Sequence, residues 1–594
     1  MPFLALIALG LALGWWIASS RRRKSNRRRT TEEIRSTLET GLPSTDTALG
    51  RRAQEVREAQ ERKLHSPPPI HGTARWAMEP DVLPLIDGNR LTTASGTRGL
   101  TLGTLVRGDN SDTGLPLVAR YPGHLLTVAG TGQGKAVTQI VGNLMTYSGS
   151  VVVIDPKGEL YDLTHQRRRR FGRVFRVAPF ATADEHSDRY NPLDELDRPN
   201  ELGKRARRLA EMLFVRQAEK GAAEAAYFEN EAINLLTAII MFVVEQATTQ
   251  SRQGLRTLCE VRSICTLQLL GGRTQRAPRV VYLEDVLLQM RDKGKHPYVK
   301  QQGRFLASIE PKQLSAFASE INSNLAFFDG HEGFATATAK SDFLFEQLAD
   351  TPTTVYLTIP LGEMDTSFRF LRALIGQAFI ALKEQRDAAE ASVLFILDEF
   401  PALRDMPFMR SAVAQMRSSG AWFWFFVQDV AQLEGVYKDW ANVFLSQTDH
   451  QIFFGATVDP QTKKHISTNL GVATVAYRDP SVSWNHSVGL NDNESGSPIQ
   501  LGGFGEGRNV GQTVSIAEPI ALAARALLTP FEVGVYLSHR ERGETHPSTT
   551  IIFSKQANGY PIKARRQHWR SVRIHEPHQN VPALTYLPAK RIPS

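Results

Sequence analysis

Cysteine is nearly absent. Two thiols, Cys259 and Cys265, serve 594 residues, which excludes a disulfide-stapled scaffold and a cysteine-based zinc site. The 15 histidines are scattered and mark no metal site. Excess charge of one sign is also scarce outside a single stretch. The net charge is +9; Arg21, Arg22, Arg23, Lys24, Arg27, Arg28 and Arg29 supply seven of it, leaving +2 for the remainder. The basic balance therefore describes the N-terminus and not a basic binding surface. Hydrophobic residues make up 42% and charged residues 22%. That usage excludes a wholly disordered chain, a collagen-like chain and a polytopic membrane protein. At roughly 150 residues per domain, the length predicts about two to four domains with large cores.

Residues Pro2 to Ser20 carry no charge. As a helix they span roughly 28 Å, about one hydrocarbon core. Trp15 and Trp16 stand near the end of the run, where aromatic belts lie, and the basic cluster follows at once. A cleaved signal peptide has the opposite order, with positive charge first and a small-residue cleavage site last. A buried or interfacial helix is the other competing reading. The order predicts a single-span inner-membrane anchor over residues 1–30, with the main body in the cytoplasm. Residues 31–69 mix Glu and Arg without long apolar runs. They predict a helical or flexible stalk, ended by Pro67, Pro68 and Pro69.

Six short apolar runs predict buried parallel strands: Leu125 to Ala129, Val151 to Ile154, Thr354 to Ile359, Val393 to Leu397, Trp422 to Val427 and Gln451 to Phe454. Helical patterns lie between most of them, the alternation of a doubly wound α/β domain. The long gap between the second and third strands holds amphipathic patterns at Glu201 to Phe214 and Ala222 to Glu245. The predicted fold is a RecA-like phosphate-loop ATPase domain, at 70–190 and 346–550, interrupted by an all-α domain at 191–345. Residues 484–511, rich in Gly, Asn and Ser, predict a long loop or disordered insertion. Residues 551–594, with Lys563, Arg565, Arg566, Arg570 and Arg573, predict a basic C-terminal tail. The charge runs Arg167 to Arg170 and Lys204 to Arg208 read as solvated faces rather than substrate contacts.

The sharpest local signal is Gly130-Thr131-Gly132-Gln133-Gly134-Lys135, between a strand and the helical pattern Val137 to Met145. Glycines let a backbone curl its N–H groups toward phosphate oxygens, and Lys135 would reach the β- and γ-phosphates. The predicted nucleotide contacts run from Gly130 through Ala136 and Val137. Two positions depart from the usual pattern. Ala129 stands in place of the first Gly, and Ala136 in place of the hydroxyl that ligates Mg²⁺. A water, Thr131 or Thr138 are the candidates to compensate. The second strand ends in Asp155-Pro156-Lys157-Gly158-Glu159, well placed for a ligand crevice.

The strand Val393 to Leu397 ends in Asp398-Glu399. In a phosphate-loop ATPase the first acid holds Mg²⁺, directly or through water, and the second orients or deprotonates the attacking water. An acid pair capping a helix after a core strand is the bland alternative. The two motifs in this order favour ATP hydrolysis. Gln428, at the end of another strand, would sense the γ-phosphate. Arg417 is the favoured group for insertion into a neighbouring subunit's site, and Arg372 the second. A surface salt bridge competes for each.

Taken in order, these residues resemble the type IV secretion coupling proteins, the TraG/TraD-like conjugative ATPases. The resemblance rests on His71-Gly72-Thr73-Ala74-Arg75-Trp76, the phosphate loop, the stretch Gly149 to Glu159 and Tyr190-Asn191-Pro192-Leu193-Asp194. It continues through Asp398-Glu399-Phe400-Pro401-Ala402-Leu403, the stretch Val427 to Leu433, and Arg525 to Glu532. Members often lack the hydroxyl after the loop lysine, so Ala136 is less damaging than it first seems. The resemblance implies a membrane-anchored ATPase using ATP and Mg²⁺, working as a homohexamer. It would receive single-stranded DNA with its relaxase, or protein effectors, and pass them to secretion-channel components. The inserted helical domain would meet substrate. Two departures stand out: many members have two membrane spans, and Arg404 replaces a common Gly. An FtsK/HerA-like DNA-translocating motor shares the catalytic residues, but its C-terminal DNA-reading module is not visible. A nucleotide-gated recruitment scaffold would have no reason to retain Lys135, Asp398 and Glu399 together.

Overall fold

The computed structural model describes residues 48–571 apart from 87–96, 120–122, 183, 197, 199, 216–222, 248–253, 270–279, 329–331, 385–392, 416–419, 456–458, 479–519 and 541–543. The predicted anchor with its basic cluster, the Gly/Asn/Ser-rich stretch 484–511, Arg417 and Arg573 lie outside the described residues. Two compact units form, one from the chain up to Arg75 with Leu470–Leu527, the other from Trp76–Asn469 with Leu528 onward.

The strands of the larger unit are β1 (Leu100–Val106), β2 (Asp112–Ala119), β3 (His124–Val128), β4 (Ser150–Ile154), β5 (Arg173–Val177), β6 (Thr353–Leu357), β7 (Val393–Leu397), β8 (Ala421–Val427) and β9 (Thr448–Phe454). In the smaller unit, β10 (Val472–Arg478) and β11 (Ile520–Ala526) form an antiparallel pair. The larger unit resumes with β12 (Thr549–Ser554) and β13 (Ile562–Arg565). Its eleven strands form one sheet in the order β2-β1-β13-β12-β9-β3-β8-β7-β4-β6-β5. From β9 to β5 every pairing is parallel. The four strands beyond β9 are antiparallel.

Every residue of β3, β4, β6 and β7 is buried. Layers cover both faces of a parallel sheet, which is why these strands read as unbroken apolar runs. All six expected strands are present, as β3, β4, β6, β7, β8 and β9. Five others in this sheet were not expected. Residues 549–554 and 562–565, which the sequence sets at the end of the ATPase domain and in a basic tail, are strands β12 and β13 of the sheet. Lys563 is directed inward over the Trp76 ring, 4.9 Å from its centroid.

Between β5 and β6 every element among the described residues is helical. Glu201 to Phe214 forms the helix Leu202–Leu213, and Ala222 to Glu245 the helix Ala223–Gln246. The stretch Ala226–Gln246 is long and apolar enough to cross a membrane, but 72% of it is buried inside the protein. It is the core helix of the insertion. Tyr190 and Asn191 fasten the insertion to its surroundings. The Tyr190 hydroxyl donates to Gln377 Oε1 (3.1 Å), and Asn191 Nδ2 donates to Arg256 O (2.6 Å). This family-like motif is thus structural here.

Each charge run turns one arginine inward, while Arg169, Arg170 and Lys204 stay exposed as expected. Arg168 is 1% exposed and donates to Thr354 Oγ1 (2.8 Å), Gly149 O (2.6 Å) and Tyr147 O. Arg205 is 5% exposed and pairs with Glu384 of the helix Met364–Glu384. Arginine suits such sites because its planar fork reaches several acceptors at once.

Glu195 gives the insertion a pH signature. Its Oε1 accepts the Phe345 N–H (2.6 Å), while its buried Oε2 has no partner. Burial raises its pKa from 4.5 to about 7. The folded state therefore favours the protonated acid. That contribution is full below the unfolded value and is lost as pH rises through about 7. Glu195→Gln keeps the acceptor and removes the charge. Urea unfolding at pH 8 is expected to show the variant more stable than the parent by about 2 kcal/mol, with near equality at pH 4. An equal difference at both pH values would assign the effect to packing.

In the smaller unit the Gly72 position of the His71–Trp76 motif abuts β10. A Cβ there would lie 2.0 Å from Val472 O, so only glycine fits. Thr529 and Glu532 of the late motif form a capping box on the helix Pro530–Ser538.

Candidate nucleotide site

The phosphate loop begins where β3 ends. Ala129 is fully buried and its N–H donates to Val427 O (3.0 Å) at the end of β8. Its side chain occupies core, which accounts for an apolar residue there. Gly132 and Gly134 adopt φ of 71° and 80°, a region costly for side chains. No atom would lie within 4 Å of a Cβ on Gly132, which leaves the loop's outer side open. Thr131 is exposed and Gln133 half-buried. A Cβ at Gly455, just past β9, would lie 2.6 Å from Gln133 Cγ, so β9 bounds the loop on one flank.

Ala136–Ile140 forms a π-helical turn that continues as the helix Val141–Thr146. Val141 N–H donates to Ala136 O. Such single π turns concentrate at functional sites. Val137 lies on this turn and is half-buried. Thr138 is not free to replace the missing hydroxyl of Ala136. Its Oγ1 donates to Gly134 O (2.7 Å) and accepts from Arg566 Nη1 (2.5 Å).

On the opposite flank, β7 delivers Asp398 and Glu399. β8 separates β7 from β3 and delivers Gln428. These ends converge. Lys135 Nζ lies 3.4 Å from Glu399 Oε1, with the side chains 10% and 20% exposed. Gln428 Nε2 donates to Glu399 Oε2 (3.1 Å), and Glu399 N–H donates to Asp398 Oδ1 (3.1 Å). Glu399 is left-handed, at φ 52° and ψ 42°. A non-glycine residue there is strained by about 1–3 kcal/mol, and such strain clusters at active sites. Burial pushes the Asp398 carboxyl up, against the pull of Lys135. Lys157 lowers it further, a nearby cation the sequence associates only with a strand-end crevice.

Other expectations resolve differently. Asp155 Oδ2 accepts the Tyr161 N–H (2.8 Å) and so serves the start of the helix Glu159–Arg168. Asp429 caps the helix Val430–Tyr437 by accepting from Gln432 N (2.6 Å). Arg372 is 1% exposed and donates to Asp405 O (2.9 Å) and Phe214 O (3.2 Å). It cannot reach into a neighbouring subunit. A cavity of about 400 Å³ lined by Met212, Phe214, Ile233, Arg372, Phe379 and Phe408 shares no residue with the phosphate loop.

The donor set fits a nucleotide with Mg²⁺. Asp398 is a half-buried carboxylate within the field of Lys135 and Lys157. Among the described residues no group of three or more His, Cys, Asp or Glu could hold a metal, so any Mg²⁺ here would rest on the nucleotide's own oxygens beside Asp398. Sequence reasoning missed Arg566 and His546 as site residues; they flank the loop from segments just after β13 and just before β12, strands it did not anticipate. A Cβ on Gly134 would lie 2.9 Å from His546 Cδ2. The basic character of 563–573 was the available signal.

Comparison with known proteins bears on the fold and the family. A protein VirD4 of Rhizobium radiobacter is 27% identical over 433 residues, covering 71% of this chain and 58% of the relative. The chain spans about three fifths of the length of the VirD4 relatives it matches. The fold is similar to that of the bacterial conjugative coupling protein TrwB in its unbound form. That TM-score is 0.53 at 14% identity, covering 81% of this chain and 91% of TrwB. A second TrwB structure, in complex with ADP and Mg²⁺, gives 0.51 at 14% identity, covering 79% and 95%. Residues 85–501 match the family model for type IV secretory system conjugative DNA transfer. The protein is therefore a member of the type IV secretory conjugative DNA-transfer family, the group that holds the coupling proteins.

Proposed function

We propose that the protein is a membrane-anchored ATPase that couples ATP hydrolysis to delivery of substrates into a type IV secretion channel. The observation that carries the reading is the convergence of Lys135, Glu399 and Gln428 beside an open glycine loop. Asp398 would hold Mg²⁺, which neutralises charge developing on the phosphates when bound. Lys135 binds and orients the terminal phosphates. Lys135 also pairs with Glu399 Oε1 at 3.4 Å. Phosphate oxygens compete for the lysine, and its departure frees one Glu399 oxygen to accept a proton from water. Gln428 keeps its hold on the other oxygen and fixes the carboxylate's direction. Binding and competence for hydrolysis are thereby linked through one side chain.

The ADP–Mg²⁺ complex of TrwB supports the cofactor choice, and the family supports conjugation as the setting. Single-stranded DNA with its relaxase is the proposed cargo, with protein effectors using the same motor. The predicted anchor supports an inner-membrane location with the main body in the cytoplasm. A homohexamer with Arg417 acting between subunits completes the reading, with the helical insertion receiving substrate. Full-length protein in detergent is expected to hydrolyse ATP and to accelerate severalfold with single-stranded DNA. Hydrolysis without a DNA response would shift the cargo to protein. No hydrolysis under either condition would end the ATPase reading.

A further inference from the structure

The strands that sequence alone sets in a tail bring a buried cation to the back of the phosphate loop. Arg566 follows β13 and is 3% exposed. Its Nε donates to Thr550 Oγ1 (3.0 Å), its Nη1 to Thr138 Oγ1 (2.5 Å) and its Nη2 to Pro547 O. The guanidinium stacks on Phe454 at the end of β9, 3.4 Å from the ring centroid. Every one of these acceptors is neutral. Glu544 is the carboxylate whose field reaches the group. Burying a cation without a paired anion is costly. If the need were only to occupy Thr138, a neutral donor would serve without that cost.

Thr138 relays the contact. Its hydroxyl donates to Gly134 O (2.7 Å), and its backbone N–H donates to the same oxygen (3.0 Å). Gly134 is the left-handed glycine immediately before Lys135. The His546 ring walls its other side. The loop's last peptide is thus held by groups reaching it from 428 residues away, through Arg566.

We propose that Arg566 is a positioning residue for the phosphate loop: acting through Thr138 it sets the Gly134 peptide, and its buried charge is neutralised at long range by a nucleotide's phosphate chain. The proposal rests on the nucleotide-binding reading above. It requires the arginine to matter more to the nucleotide-bound protein than to the free one, a distinction a structural strut would not show.

The test uses full-length protein in detergent, Mg²⁺–ADP binding by calorimetry, and melting with and without ADP. Arg566→Met is expected to bind ADP about tenfold more weakly, with a smaller rise in melting temperature on adding ADP than the parent shows. Thr138→Val is expected to lose a similar factor, and Thr138→Ser to recover it. The Arg566→Met/Thr138→Val double variant should bind no worse than Arg566→Met, because both break one relay. ADP binding by Arg566→Met within twofold of the parent would overturn the proposal. So would a melting temperature lowered equally with and without ADP. If Arg566→Met does not fold, the Thr138 pair decides: equal binding by Val and Ser overturns the relay. A parent that binds no ADP, or a Lys135→Ala protein that binds like the parent, would overturn the nucleotide reading itself.

Discussion

The Glu399→Gln protein is expected to bind ATP at least as tightly as the parent and to hydrolyse it about a hundredfold or more slowly. General bases contribute about 10²–10⁴ in rate. Glutamine keeps the side chain's size and can still accept from Gln428, whose Nε2 lies 3.1 Å from Glu399 Oε2. It cannot accept a proton from water. It also releases Lys135, now 3.4 Å from the carboxylate, so binding does not suffer. Lys135→Ala fails differently, because it removes the group that meets the phosphates, and binding and hydrolysis fall together. Equilibrium binding and steady-state hydrolysis on the two variants separate these outcomes. Parent-rate hydrolysis by Glu399→Gln would move the base elsewhere.

Arg168→Ala is expected to cost about 4 kcal/mol, a large share of the roughly 5–15 kcal/mol that holds a typical domain together. The guanidinium is 1% exposed and satisfies carbonyls at Tyr147 and Gly149, where the phosphate-loop helix turns into β4, and Thr354 Oγ1 on β6. Truncation leaves those acceptors buried without donors and opens a cavity. Chemical denaturation measures the loss. A change of about 0.5 kcal/mol, the size typical of surface substitutions, would mean that water enters and replaces the fork.

The central strands were legible because burial on both faces leaves an unbroken apolar run. β7, Val-Leu-Phe-Ile-Leu, allows little else. The acids and the glycine loop were legible because their chemistry is local in sequence. β5, Arg-Val-Phe-Arg-Val, was not, since an edge strand tolerates arginines that break the pattern. The inward turn of Arg168 is not legible because composition does not reveal which member of Arg167–Arg170 is buried. Arg372 passed as a reachable surface group for the same reason. The Arg566–Thr138 contact was invisible because no local pattern links residues 428 apart.

The position of β13 and β12 between β1 and β9 carries a consequence for synthesis on the ribosome. β1 and β2 are made early, yet their only route into the parallel sheet runs through strands made near the end of the chain. About 440 residues separate Ala119 from Ile562. At roughly 5–20 residues per second, that interval lasts about 20–90 s. During it the hairpin of β1 and β2 has no place in the sheet, and β9, once made, presents an open edge of the kind that invites wrong pairing until β12 emerges. The nascent chain must therefore be kept from aggregation until its last strands emerge, and a chain cut short before residue 549 would never close that edge.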